Sequence, residues 1–361
     1  MSHSASAPAR LGHTEQDYRR LGLEPTTIKP WEDGLRTDGG PGSYEWWYFD
    51  AHLDDGAKLV IVFHTKDFTD LDKPLSPLLR IELTLPDGTQ VDRLASCDAS
   101  TFSASTEGCD VRMGDNVFAG DLHTYRIHAQ ADDVEVDVVL TGDLPAWRPA
   151  TGHWLFGPSG EQTFAWLPAV PQGKVEATYS VNGRPTTVAG VGYHDHNWGN
   201  APMFKLMHHW YWARGAAGPY SVIASHITAE KPYGHAELPV FMLARDGVLI
   251  GDDPAKGTFE ELGRYTDQKT GKPVGNTIRY TYTDGEDRYV VTFTRHTDLA
   301  SALLIDAIKG PKKMLAKVGG FDGAYLRFAG ELRIEHHRDG AVVDSHAEDA
   351  LWELMYFGKA L

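Results

Sequence analysis

Only two cysteines, Cys97 and Cys109, occur in 361 residues. Two are too few for a disulfide framework or a four-cysteine zinc site, so reduced structural thiols are expected, with a single bridge left open. No apolar run approaches the ~20 residues that a membrane span requires. The stretch from Met1 to Gln16 is small and polar and lacks the apolar core of a secretion signal, which reads as a disordered leader on a cytoplasmic protein. Basic residues number 34 against 50 acidic ones, a formal net charge of −16. A surface of that sign repels phosphate backbones and argues against nucleic acid as a partner. A Walker P-loop, a dinucleotide fingerprint at a strand–helix junction and a G-x-S-x-G elbow are all missing, which removes nucleotide, flavin and serine-hydrolase chemistry.

Strand patterns dominate what is present. Leu79, Ile81, Leu83 and Leu85 alternate with polar residues, as do Val134, Val136, Val138 and Leu140, then Ile278, Tyr280 and Tyr282, then Tyr289, Val291 and Phe293. Period-two alternation means strands with one buried face. Asn182-Gly183, Asp246-Gly247 and Asp339-Gly340 read as tight hairpin turns. Helical signals are few: Thr14 to Leu21, and Asp298 to Lys309, where Ala300, Leu303, Leu304, Ala307 and Ile308 recur at helical spacing before Gly310-Pro311. Lys309, Lys312, Lys313 and Lys317 close or follow that run, as a peripheral membrane contact or, more simply, a solvated helix capping a barrel.

The chain also repeats itself faintly. Trp46-Trp47-Tyr48-Phe49 opens one region and His209-Trp210-Tyr211-Trp212 another, and Tyr48, Val60 and Thr65 match Tyr211, Ile223 and Thr228 at one offset. Two antiparallel units follow from this, each opening on an aromatic strand and each a closed barrel without free edges. The expected division is a partly disordered leader at 1–40, a first barrel at 41–200 and a second at 201–361.

Two stretches concentrate ionisable groups among aromatic rings: Glu45 to Asp50, and Tyr193 to Trp198. In an extended chain Tyr193, Asp195 and Asn197 share one side and His194, His196 and Trp198 the other. Glu45, Trp47 and Phe49 likewise oppose Trp46, Tyr48 and Asp50, while His208, Trp210 and Trp212 form a comparable face later on. Spacing alone leaves open which side faces a cavity. A buried Asp195 loses solvation of its charged form and becomes a general acid near neutral pH. The plain alternative is a hydrogen-bonded structural knot. Metal binding by His194-x-His196, with His208 and His209 following, is the rival. A cupin-like site also needs a glutamate soon after the pair, where Asn200 and Ala201 stand, so no metal and no cofactor are expected.

At these residues the chain resembles the hydroxyneurosporene synthase family, the carotenoid 1,2-hydratases, and the related AttH-like proteins. The resemblance rests on Gly42 to Asp50, on Gly192 to Gly199 and on His209 to Trp212. It implies an all-β fold of two lipocalin-like antiparallel β-barrels packed together, with few short helices. It also implies cofactor-free chemistry on a lipophilic, unsaturated small molecule, as in carotenoid hydratases and in similar fungal Diels–Alderases and kievitone hydratase. Carried over, Asp195 matches the acid, with His194, His196 and Glu45 as catalytic neighbours. Trp46, Trp47, Tyr48, Asp50, Tyr193, Asn197, Trp198, His208, Trp210 and Trp212 would contact substrate. Three readings stand: proton-initiated hydration or cyclisation of an alkene, a pericyclase or isomerase that folds a polyene, and a non-catalytic carrier.

Overall fold

Alternation along the chain is realised as two large antiparallel sheets, with a further two-stranded ladder between Tyr265–Thr266 and Pro273–Val274. The computed structural model describes residues 8–67, 70–306 and 322–361. Contacts group these into two compact units, Leu11–Met203, and Phe204–Leu361 taken with the chain up to Arg10. Among the described residues no helix is long and apolar enough to cross a membrane. Cys97 and Cys109 are free thiols.

In the first unit the sheet runs in the order Gln90–Ser96, Leu78–Thr84, Lys58–His64, Tyr44–Leu53, Arg184–Gly199, Gln162–Val181, Val134–Gly142, Thr124–Ala131, Asn116–Gly120, Cys109–Met113 and Phe102–Ala104. It curls so that one face encloses Trp47, Phe49, Ile61, Phe63, Val136, Val138 and their neighbours. In the second unit Met207–Ala217 lies between Tyr220–Ala229 and Ala341–Tyr356, and Tyr211, Ala213, Phe293 and Trp352 belong to its core. The fold is all-β and lipocalin-like, as expected. In neither sheet are the two outermost strands of that order paired with each other among the described residues. Each sheet curls towards a barrel without a ladder joining those outermost strands among the described residues.

The repeat has a structural counterpart. In each unit the aromatic strand is flanked by its hairpin partner and by a strand from the end of that unit, Arg184–Gly199 in one and Ala341–Tyr356 in the other. The single offset is out by one pleat: Tyr211 sits in its core, whereas Tyr48 lies opposite Asp195 on the face away from its core. The two hairpins differ in length, which shifts the alternation of one aromatic strand relative to the other.

The three predicted turns have positive φ at both central residues, 52° and 72° at Asn182-Gly183 for instance, as the twist-matched hairpin turn requires. Glu15–Leu21 is the helix expected there, capped by Thr14 and ended by Gly22 in the left-handed region. The helix expected from Asp298 is not formed. The strand Asp287–Leu303 continues through that stretch, pairing Ser301 with Leu326 and Leu303 with Ala324, and a 3-10 turn follows at Leu304–Asp306. Long-range pairing overrides a helical spacing of only a few apolar residues. Residues 307–309 of that run, and the lysines after it, lie outside the described residues. Residues 11–40, read as part of a leader, bury Glu32 and Asp33 in the first unit.

Gly192 precedes the candidate stretch where strands approach closely. A Cβ there would meet Val175 Cγ2 at 2.6 Å and the Asp50 carbonyl oxygen at 2.9 Å. Gly192→Ala is expected to cost about 1–3 kcal/mol by overpacking. Urea unfolding checks this, and an unchanged midpoint would contradict the packing.

Candidate active site

The pleat of Arg184–Gly199 decides which groups meet. His194 pairs with Phe49 and His196 with Trp47, both core residues, so the histidines point into the sheet's enclosed face. Asp195 pairs with Tyr48 and Tyr193 with Asp50, and these four project from the opposite face. The four residues expected to act together, Asp195, His194, His196 and Glu45, are thus split by the sheet into two groups.

On the enclosed face lies a hydrogen-bonded network around Asp33 and Glu45. Glu45 is fully buried; Oε1 accepts from the Arg36 amide (2.7 Å) and faces His196 Nε2 (2.8 Å), and Oε2 accepts from the amide and hydroxyl of Thr37 (both 2.7 Å). His194 donates through Nδ1 to the Tyr48 carbonyl (2.8 Å) and meets Asp33 Oδ2 through Nε2 (3.2 Å). The Tyr125 hydroxyl donates to the same oxygen at 2.5 Å. Burial works to raise the Asp33 carboxyl, but the charge and hydrogen bond of His194, the charge of His196 and the Tyr125 hydroxyl outweigh it and hold Asp33 below its ordinary range. His196 stacks on Trp47 with centroids 4.6 Å apart, and the Trp47 indole donates to the Asp33 carbonyl (3.0 Å).

This arrangement corrects several expectations. His194 and His196 do not hold the Asp195 carboxyl, Glu45 is clamped by the backbone of residues 36 and 37, and Trp47 is core rather than a substrate wall. Asp33, Cys109 and His194 do bring ligand-type atoms within 4.8 Å of one another and form, among the described residues, a buried trio able to hold a metal. Of their ligand atoms, Cys109 Sγ meets the Phe118 carbonyl (3.5 Å) and Asp33 Oδ2 is engaged as above, while Asp33 Oδ1 accepts no hydrogen bond among the described residues.

The opposite face carries Asp195, 7% exposed. Its Oδ2 accepts from the Tyr193 hydroxyl (2.7 Å) and from the Trp166 indole (2.8 Å), and its Oδ1 from the Asn197 amide (2.6 Å). Burial raises the Asp195 carboxyl above its ordinary range, and the hydrogen bonds from Tyr193, Trp166 and Asn197 and the charge of His194 only partly oppose it. Burial and the adjacent Asp195 also push the Tyr193 phenol well up, so it stays a donor. Tyr48 lies edge-on to Tyr193 (6.3 Å) and donates to Asp50 Oδ2 (3.1 Å). Trp166 is backed by Trp147 at 6.1 Å and Trp154 at 6.2 Å. The result is a carboxyl with a lifted proton affinity, set among rings and neutral donors.

Of the other expected contacts, Trp46 and Tyr48 are partly exposed, while Trp198 lies on the histidines' side, 4.6 Å from His196. In the second unit Trp210 and Trp212 are partly exposed on the face away from the core, Trp210 against Phe357 (5.3 Å). His208 bonds the Lys359 carbonyl and the His209 ring. Trp166, missed in the sequence, is the register partner of Asn197; its aromatic character in a long strand was the available signal. Asp33 lacked any, since it ends a short 3-10 turn, Pro30–Asp33, ahead of the first long strand.

Residues 40–298 match the sequence profile of a family described as Diels-Alderase-like. The chain is 27% identical over 284 residues to the quinolone epoxide rearrangement protein asqO of Emericella nidulans, covering 71% of this chain and 74% of that protein. It is 26% identical over 272 residues to the Diels-Alderase ucsH of an Acremonium species, covering 67% and 64% respectively. Among solved structures, kievitone hydratase from Nectria haematococca shares the fold with a TM-score of 0.53 at 14% identity, over 98% of each chain. The resemblance read from the three motifs is borne out.

A structural rather than catalytic Glu45 makes a clear prediction. Glu45→Ala strands two backbone amides, the Thr37 hydroxyl and a buried imidazole, and is expected to cost about 3 kcal/mol or more. Chemical denaturation measures this; full stability of the variant would contradict the assignment.

Proposed function

The chain belongs to the Diels-Alderase-like family of enzymes, and we propose that it uses the Asp195 carboxyl, without a cofactor, as a Brønsted acid on a lipophilic unsaturated substrate, a terpenoid or polyene. The single observation that carries this is the buried Asp195 carboxyl, its proton affinity raised by burial while Tyr193, Trp166 and Asn197 fix its position.

An acid of this kind needs a place for its proton before transfer and a tolerable anion afterwards. The ionised form has all three donors. In the protonated form the Asn197 amide, turned about its terminal bond, presents its oxygen to the acid hydrogen. Asp195 transfers its proton to one alkene carbon and the π pair forms the new C–H bond. The adjacent carbon becomes a tertiary cation. The ring faces of Tyr48, Tyr193 and Trp46 stabilise it, each by up to about 2 kcal/mol when desolvated. Water then adds at the cation and returns a proton to the Asp195 carboxylate, giving hydration; capture by a second alkene gives cyclisation. Neighbours on the same face, Tyr193 and Asn197, orient the acid and the water, a role the histidines cannot fill from the enclosed face.

A second reading is favoured by the family profile: a pericyclase that holds a polyene in a reactive fold, with the Asp195 cluster hydrogen-bonding a carbonyl of the substrate. Heavy water separates the two. With isoprenoid and polyene substrates, proton-initiated turnover places deuterium on carbon, read by mass spectrometry, and a pericyclic reaction places none.

Asp195→Asn is expected to lower turnover about 10²–10⁴-fold, the usual worth of a general acid. Turnover in the native protein should fall as pH rises through the lifted Asp195 value, because the protonated form is the active one. Stability moves the other way in the variant. A folded-state carboxyl raised above its unfolded value loses stability as pH climbs through that window, so Asn at this position should leave the midpoint at neutral pH equal or higher. Undiminished turnover in Asp195→Asn would overturn the acid role.

A further inference from the structure

A cavity of about 340 Å³ lies in the first unit, lined in part by Trp31, Arg36, His153, Thr163, Trp166 and Trp198. Its volume is in the range of small-molecule sites. The Asp195 carboxyl does not line it; Trp166, whose indole donates to Asp195, is the residue of the acid cluster that does.

His153 gives the cavity its chemistry. The residue is 8% exposed, and Nδ1 lies 2.7 Å from the Thr151 carbonyl oxygen. A carbonyl only accepts, so Nδ1 carries the hydrogen and Nε2 a lone pair. That lone pair accepts no hydrogen bond among the described residues. Burial pushes the imidazole down to about 4, with the charges of Arg148 and Arg20 acting the same way and the Thr151 bond against it, so the ring is neutral across the physiological range. Trp198 packs edge-on against it with centroids 5.3 Å apart, fixing its plane.

The charged residues nearby are already engaged. Arg148 pairs with Glu32 at 2.7 Å and donates to the carbonyls of Glu24, Thr27 and Ala150. Arg36 donates to the Gly34 and Thr106 carbonyls and lies 4.9 Å over the Trp31 ring. Beside the polar side chains of Thr37, Thr151, Thr163 and Asn200, the cavity therefore offers His153 Nε2 as a neutral acceptor that takes no hydrogen bond among the described residues, with three indoles in the same lining. A cation would meet two guanidinium groups, and an anion would find no donor on His153.

We propose that this cavity binds a flat, uncharged ring bearing one acidic N–H or O–H, a lactam or a phenol, whose hydrogen is donated to His153 Nε2 while the ring lies against the indoles. The proposal concerns binding and is read without turnover, so its failure leaves the Asp195 mechanism standing, and the reverse.

The test uses the full chain and two probes, 2-quinolone, which has the lactam N–H, and N-methyl-2-quinolone, which lacks it. Calorimetry at pH 7 is expected to show saturable 2-quinolone binding and about tenfold weaker binding of the N-methyl compound, the worth of one buried hydrogen bond. His153→Leu should abolish that discrimination. His153→Gln, which keeps an acceptor near the Nε2 position, should retain most of it, with circular dichroism confirming that both variants fold. Affinity should be flat from pH 8 to pH 5.5. Absence of 2-quinolone binding to the native protein, equal affinity for the two probes, or undiminished discrimination in folded His153→Leu would each overturn the proposal.

Discussion

The site in the first unit depends on one constraint, the alternation of side chains along Arg184–Gly199. A strand sends successive residues to opposite faces, so a run of five polar or aromatic residues cannot form one cluster. Here it forms two. His194 and His196 enter the closed face, where Asp33, Glu45 and Tyr125 complete a hydrogen-bonded network. Asp195 and its neighbours Tyr193 and Asn197 are left together on the other face, with Trp166 from the adjoining strand. A slip of one residue in register would exchange the two sets, burying the acid in the core and presenting the imidazoles in its place.

The inner network supplies a reason for that register to hold. Glu45 takes hydrogen bonds from the chain at Arg36 and Thr37, and His194 ties Asp33 to the backbone of Tyr48. Strand Tyr44–Leu53, strand Arg184–Gly199 and the irregular segment before them are thus pinned by groups that are costly to leave unpaired. A polar core of this sort is a weak source of net stability and a strong source of positional definition for the face behind it. The acid is held in place because its own strand is fixed from the far side.

Much of this was legible in the chain. Alternation disclosed the strands, the Asn-Gly and Asp-Gly pairs their turns, and the two aromatic openings the twofold organisation. The motif from Tyr193 to Trp198 even disclosed the split between Asp195 and the histidines, though not which side was closed, because both sets are rich in rings and ionisable groups. Partners distant in sequence were not legible. Asp33 is 161 residues from His194, and Trp166 is 29 from Asp195; strand register joins the second pair, and the first meets only when the 3-10 turn Pro30–Asp33 packs against the sheet. The helix expected after Asp298 failed for the same reason: its local spacing was real, but pairing with Ala324–Arg338 claimed the backbone.

The account's central claim is that the Asp195 carboxyl keeps its proton to higher pH than an ordinary aspartate. Carbon-detected NMR of the Asp195 side-chain carboxyl, followed through a pH titration of the intact protein and assigned by its absence in Asp195→Asn, reads that directly. The account predicts a midpoint displaced above 3.8, the value of an unperturbed aspartate. A midpoint at or below 3.8 would contradict it.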